Sequence, residues 1–125
     1  MGEIFTSRQM RRITELEIEQ AVYVPSTELD KKVLPQVFKR RILEVKRTLS
    51  KLFGGYTAYQ GSGGYYSKDI NKVINEDIVK VVSFAKKEDF QKNKPKLYNR
   101  LRSWKRRWKQ ESIGYENEGN MYYIE

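Results

Sequence analysis

Residues 56–85 read YTAYQGSGGYYSKDINKVINEDIVKVVSFA, and this stretch decides the fold. Tyr56, Thr57, Tyr59, Tyr65 and Tyr66 are strand formers, and the run from Ile78 to Phe84 is rich in β-branched residues. Two places can turn the chain, Gly61–Gly64 and Asp69–Lys72. The second is the expected hairpin tip, with the glycines forming a bulge or bend inside a long first strand. On the returning strand Val79, Val81, Ser83 and Ala85 share one parity, and Ile78, Lys80, Val82 and Phe84 share the other. The smaller set is the better surface for a helix to lie against.

Helices flank this hairpin on both sides. Upstream, Leu34, Phe38, Ile42, Val45, Leu49 and Leu52 step by three or four, an apolar stripe that predicts a helix over 35–53. Pro35 suits its first turn, and Gly54 and Gly55 stop it. Downstream, Leu97, Leu101, Trp104 and Trp108 fall within about 60° of a helical wheel, which predicts a helix over 95–109 opened by Pro95. Further out, residues 15–25 (ELEIEQAVYVP) alternate as a strand with one buried face. Leu16, Ile18, Val22 and Val24 take one side, Glu15, Glu17, Glu19 and Tyr23 the other, and Pro25 ends the run. Glu111–Tyr115 and Met121–Ile124 close the chain as strands around a turn at Asn117–Asn120. The order β, α, β, β, α, β predicts an α+β, ferredoxin-like βαββαβ domain, an antiparallel sheet with two amphipathic helices on one face. Residues 1–12 show no clean period and read as an N-terminal arm before a single domain of residues 13–125.

The elements VYVPS (22–26), LFGGYT (52–57), GSGGYY (61–66), NEDIVKVV (75–82) and QESIGYE (110–116) resemble a group of small prokaryotic and viral ferredoxin-like proteins. The likeness covers residues 20 to 116. It implies the same fold and a viral or mobile-element source, and it implies no reaction and no functional residue.

The chain has no cysteine and no histidine. Disulfides, thiolate and imidazole metal sites, and Ser-His or Cys-His nucleophiles are therefore excluded. Carboxylates, Lys, Tyr and Ser remain. Glu76 and Asp77, with Asp69 upstream, could hold Mg²⁺ for phosphodiester chemistry. Neighbouring strand residues point to opposite faces, however, so the plainer reading is solvated acids at a strand start. Gly54-Gly55 follows a helix and GSGG lies between strands, neither of which is the setting of a phosphate-binding loop. No metal or cofactor is expected.

The charge is uneven. Residues 86–109 hold eleven Lys and Arg against Glu88 and Asp89, and residues 30–53 hold eight against Asp30 and Glu44, so these two segments exceed the whole net charge of +9. Lys39, Arg40 and Arg47 on the first helix, with Lys96, Arg100, Arg102, Lys105, Arg106, Arg107 and Lys109 on the second, form a candidate phosphate-binding surface. A solvated face around a Trp/Leu core stripe needs no partner and competes with that reading. Tyr56, Tyr59, Tyr65 and Tyr66 are candidate base-stacking platforms, against the alternative of half-buried sheet positions. The resulting expectation is a small non-enzymatic protein that binds nucleic acid, DNA or RNA, with little sequence specificity. Its alternatives are an inhibitor or regulator docking on an acidic protein surface, and a minimal metal-dependent nuclease. The sheet face away from the helices, with Tyr23, Ile78, Val82 and Phe84, predicts a homodimer. No apolar run approaches the roughly 20 residues that span a bilayer, and no signal peptide is evident, so a cytoplasmic location is expected.

Overall fold

The computed structural model describes residues 4–125. A short helix α1 (Ser7–Met10) is followed by β1 (Ile18–Pro25) and a small ribbon of β2 (Thr27–Glu28) and β3 (Lys31–Lys32). Then come the helix α2 (Pro35–Phe53), the hairpin of β4 (Thr57–Ser67) and β5 (Lys72–Ala85), and the helix α3 (Lys87–Arg107). A second hairpin, β6 (Ile113–Asn117) and β7 (Asn120–Ile124), closes the chain. Five strands pair antiparallel in the order β4-β5-β1-β6-β7. The chain is thus α+β, with a five-stranded antiparallel sheet and three helices among the described residues. No helix among the described residues is long and apolar enough to cross a membrane.

The core follows the strand alternation. Val22, Val24, Val79, Val81, Ala85, Ile113 and Tyr115 point to the face that meets Val45 and Leu49 of α2 and Leu97, Leu101 and Trp104 of α3. Trp104 and Trp108 stack at 5.5 Å between ring centroids, and both are buried. α2 ends on Gly54, whose left-handed φ of 107° spares a side chain the strain of that cap. The turn between β6 and β7 is two residues, Glu118 and Gly119, both at positive φ, as a tight antiparallel hairpin requires.

Four expectations need correction. The glycines of β4 form no bulge: the register runs unbroken from Thr57↔Val82 to Ser67↔Lys72, with Gly61, Gly63 and Gly64 opposite Ile78, Glu76 and Asn75. α3 begins at Lys87, and Pro95 lies inside it. The extra turns are held from outside, since Phe90 stacks on Phe53 at 6.1 Å and the Asn93 amide donates to the Leu52 carbonyl at 2.8 Å. Glu88 and Asp89 in the first turn also face the positive end of the helix dipole. Leu16 is outside β1 and 41% exposed, because the partner strand ends at Ala85 opposite Ile18. The last strands are shifted, with Ile113 rather than Glu111 opening β6. Of the N-terminal arm, residues 1–3 lie outside the described residues, and α1 buries none of its side chains.

Candidate functional site

The other face of the sheet carries the chemistry. Strand alternation sends Tyr23, Gly63, Ile78, Lys80, Gly114, Glu116, Met121 and Tyr123 to the side away from α2 and α3. Part of that face sinks into a cleft of about 240 Å³. Tyr23, Ile78, Gly63 and Gly114 lie along it, Tyr65, Met121 and Tyr123 border it, and Glu76, Gln110 and Ser112 stand at one end. The glycines make the space: a Cβ on Gly114 would lie 3.5 Å from the Tyr23 side chain, and one on Gly63 3.5 Å from Ile78.

Tyr23 is held from one side. Its hydroxyl donates to Glu116 Oε1 at 2.6 Å, and Lys80 Nζ sits 3.3 Å from the same oxygen and 5.6 Å from the centre of the Tyr23 ring. The Tyr23 hydroxyl bond, helped by Lys80, holds the Glu116 carboxyl below its ordinary value. Burial, with Glu116 beside it, raises the Tyr23 phenol. Tyr65 is pushed up to about 12 by burial and by the nearby Glu111, Glu76 and Asp69. Both rings therefore present neutral faces at physiological pH.

Glu76 is the half-buried carboxylate of the cleft. The Thr27 hydroxyl donates to its Oε2, and Thr27 is 2% exposed. Burial raises the Glu76 carboxyl, while the Thr27 bond and the charge of Arg41 pull it back down. Behind Thr27 lies Arg41 of α2, only 4% exposed. Arg41 Nη1 donates to the carbonyls of Pro25 at 2.8 Å and Thr27 at 3.0 Å, Nη2 reaches the Trp108 carbonyl at 3.5 Å, and the guanidinium lies 5.4 Å from the Trp108 ring centre. Gln110 Nε2 donates to the Thr27 and Trp108 carbonyls at 2.7 and 2.8 Å.

The residues singled out from the sequence divide among several places. Arg40, Arg47 and Arg100, with Lys51, border one shallow groove on the solvent side of α2 and α3, and Lys96 lies beside Arg100 in the next. Lys39 and Arg106 are exposed. Arg107 is paired with Glu44 and Lys109 with Glu28, while Arg102 donates to the Tyr98 hydroxyl at 3.3 Å. Lys105 faces Asp69. The α3 cations are therefore partly matched, by acids that come from other elements. Of the four tyrosines, Tyr65 borders the cleft and Tyr59 shares its face opposite Lys80. Tyr56 packs under Lys46 on the helix side, and Tyr66 is exposed opposite Val73. Tyr23 and Ile78 line the cleft, Val82 is buried, and Phe84 is 46% exposed on the same face.

Glu76 is not the solvated acid that its neighbourhood suggests. It and Asp77 do point to opposite faces, and Glu76 meets Thr27 while Asp77 meets solvent. Among the described residues no three carboxylates gather as a metal site. Thr27, Arg41, Gln110 and Tyr123 carry no motif. Arg41 alone left a trace, since it lies in step with the stripe of Phe38, Val45 and Leu49, where a cation is out of place.

No protein-family model and no curated protein matches the chain. A solved structure of a phage SAM lyase in complex with S-methyl-5'-thioadenosine does, with a TM-score of 0.68 and 17% identity, over 92% of this chain and 94% of that one. A phage SAM lyase in its apo state matches with a TM-score of 0.53 and 16% identity, over 86% and 87% of the two chains. These are likenesses of fold. They overturn the expectation of a non-enzymatic nucleic-acid binder. The fold that covers 92% of this chain is also the fold of a phage SAM lyase. The charge excess that prompted the expectation sits on the helices, away from the cleft.

Proposed function

We propose that the cleft binds S-adenosylmethionine and that the chain splits it to S-methyl-5'-thioadenosine. The observation that carries this reading is Glu76, a carboxylate that the Thr27 hydroxyl holds in an aromatic, glycine-lined cleft, within a fold like that of a SAM lyase. S-Adenosylmethionine joins a flat base and ribose to a sulfonium and an α-amino acid. Tyr23, Tyr65 and Tyr123 offer ring faces to the base, and Gly63 and Gly114 leave it room against the sheet. Glu76 offers the negative charge that the α-ammonium needs.

The product identifies the bond. S-Methyl-5'-thioadenosine keeps the methyl and adenosyl carbons on sulfur, so the bond that breaks joins sulfur to the amino-acid chain, and its electron pair stays on sulfur. The carbon left behind bonds to an oxygen of the fragment's own carboxylate, closing a lactone, so neither water nor a base is consumed. A sulfonium departs as a neutral thioether without protonation, which suits a chain lacking histidine and cysteine. Positive charge vanishes from sulfur as the bond breaks. A carboxylate at sulfur would therefore hold the ground state more tightly than the transition state. Glu76 accordingly serves the ammonium, and the tyrosine faces serve the base. The site's main contribution is orientation.

The reading extends to the finer fold. The order β4-β5-β1-β6 with α2 and α3 over one face fits the ferredoxin-like arrangement, with β7 added at the edge. The test is incubation with S-adenosylmethionine and chromatographic detection of S-methyl-5'-thioadenosine. Release well above the spontaneous rate is expected, falling in Glu76→Gln and Tyr23→Ala. Release at the spontaneous rate, with no S-adenosylmethionine binding by calorimetry, would sink the proposal.

A further inference from the structure

We infer that Arg41, a buried side chain of α2, is a positioning residue that keeps Glu76 charged and aimed into the cleft, acting through Thr27. The inference rests on the reading of the cleft as a substrate site. Arginine is seldom buried, because its charge loses water that the interior does not replace. Arg41 nevertheless forms no ion pair among the described residues, its Nε has no partner, and the three bonds made by its Nη atoms go to backbone carbonyls. Two of the three carbonyls have a second donor. Gln110 already donates to both the Thr27 and the Trp108 carbonyls, at 2.7 and 2.8 Å. A neutral donor would serve the backbone as well, so what Arg41 adds is a positive charge fixed behind Thr27.

Glu28 and Glu76 are the carboxylates this charge acts on, and of the two Glu76 is the one that lines the cleft. A carboxylate in a half-dry cleft tends to take up a proton, and a protonated Glu76 offers nothing to an ammonium. Two features of the fold oppose that, the Thr27 hydroxyl on Oε2 and the Arg41 charge behind it. The other ionisable groups at this end do not help. Tyr65 on β4 lies near Glu76 and stays neutral, Glu28 on β2 shares the Arg41 charge, and Glu111 before β6 and Asp69 in the β4–β5 turn are carboxylates that lie near Tyr65. Arg41 is thus the cation that faces Glu76, and Thr27 links the two, since its carbonyl accepts from Arg41 while its hydroxyl donates to Glu76.

The test follows the Glu76 carboxyl by NMR in the ligand-free protein labelled with carboxyl-¹³C glutamate, its signal assigned by its loss in Glu76→Gln. Arg41→Gln keeps a donor and removes the charge, and it should raise the Glu76 midpoint by about one pH unit. Arg41→Lys keeps the charge and should return the midpoint toward that of the wild type. Thr27→Val should raise it with Arg41 untouched. The lower pH limit of S-adenosylmethionine binding should move with the midpoint. An unchanged midpoint in folded Arg41→Gln, or one in Arg41→Lys as high as in Arg41→Gln, overturns the inference. Should Arg41→Gln not fold, an unchanged midpoint in Thr27→Val overturns it equally. A wild type that binds no S-adenosylmethionine while the midpoints move as expected would instead remove the proposed function and leave the Arg41–Glu76 coupling standing.

Discussion

Replacing Glu76 with Gln removes one charge and almost no shape. The amide oxygen can still accept from the Thr27 hydroxyl, so the cleft keeps its walls. If Glu76 pairs with the substrate's α-ammonium, the loss is one charge-assisted hydrogen bond in a half-buried place, about 1.5–3 kcal/mol. That weakens S-adenosylmethionine binding by about 10- to 150-fold. S-Methyl-5'-thioadenosine has no ammonium, so its affinity should stay the same. Calorimetric titration of both ligands against both proteins reads the contrast directly. Stability should move the other way. Burial holds the Glu76 carboxyl above its ordinary 4.5 in the folded chain, so the fold favours the protonated form. Stability from this group is complete below 4.5 and is lost as pH rises through the folded midpoint. Gln has no proton to lose, so the variant should gain on the wild type over that rise and keep the gain at neutral pH. Equal loss of affinity for both ligands would place Glu76 at the nucleoside, and no loss for either would refute the reasoning.

Trp104 is fully buried and stacked on Trp108, so Trp104→Ala should cost about 3–5 kcal/mol; at about 2.1 cal/mol/K per residue this lowers Tm by about 15 °C, read by calorimetry. Reversing Arg40, Arg47 and Arg100 to Glu alters the helix groove on the far side of the sheet from the cleft, and S-methyl-5'-thioadenosine release should hold within about twofold of the wild type; a larger fall would tie the basic face to the reaction. Self-association through the open face predicts a mass by light scattering above the 14.9 kDa of one chain, brought down by Phe84→Glu; a clean monomer at high concentration would leave that face without a second copy.

Local chemistry marks its own positions. The helix over 35–53 and the turn between Ser67 and Lys72 were legible because Pro35, Gly54 and the alternation of β5 act within a few residues of themselves. Trp104 and Trp108 announced a core for the same reason, a stripe at helical spacing with nowhere else to go. The start of α3 was not legible, since Phe53 and the Leu52 carbonyl hold its first turns from another helix. Alternation along β5 could say that Glu76 and Asp77 part company, but not which of them loses its water. That was decided by the packing of the hairpin against Thr27, 49 positions from Glu76, which Gln110 in turn bonds from 83 positions away. The sequence by itself determined the two long helices, the long hairpin and the stripe each helix buries, because hydrogen-bond periodicity and the hydrophobic effect work residue by residue. Only the tertiary structure decided that one acid of an exposed-looking pair is desolvated and one arginine of a basic helix is buried behind it, because burial and electrostatic coupling belong to neighbours in space, which the chain brings together only when it closes.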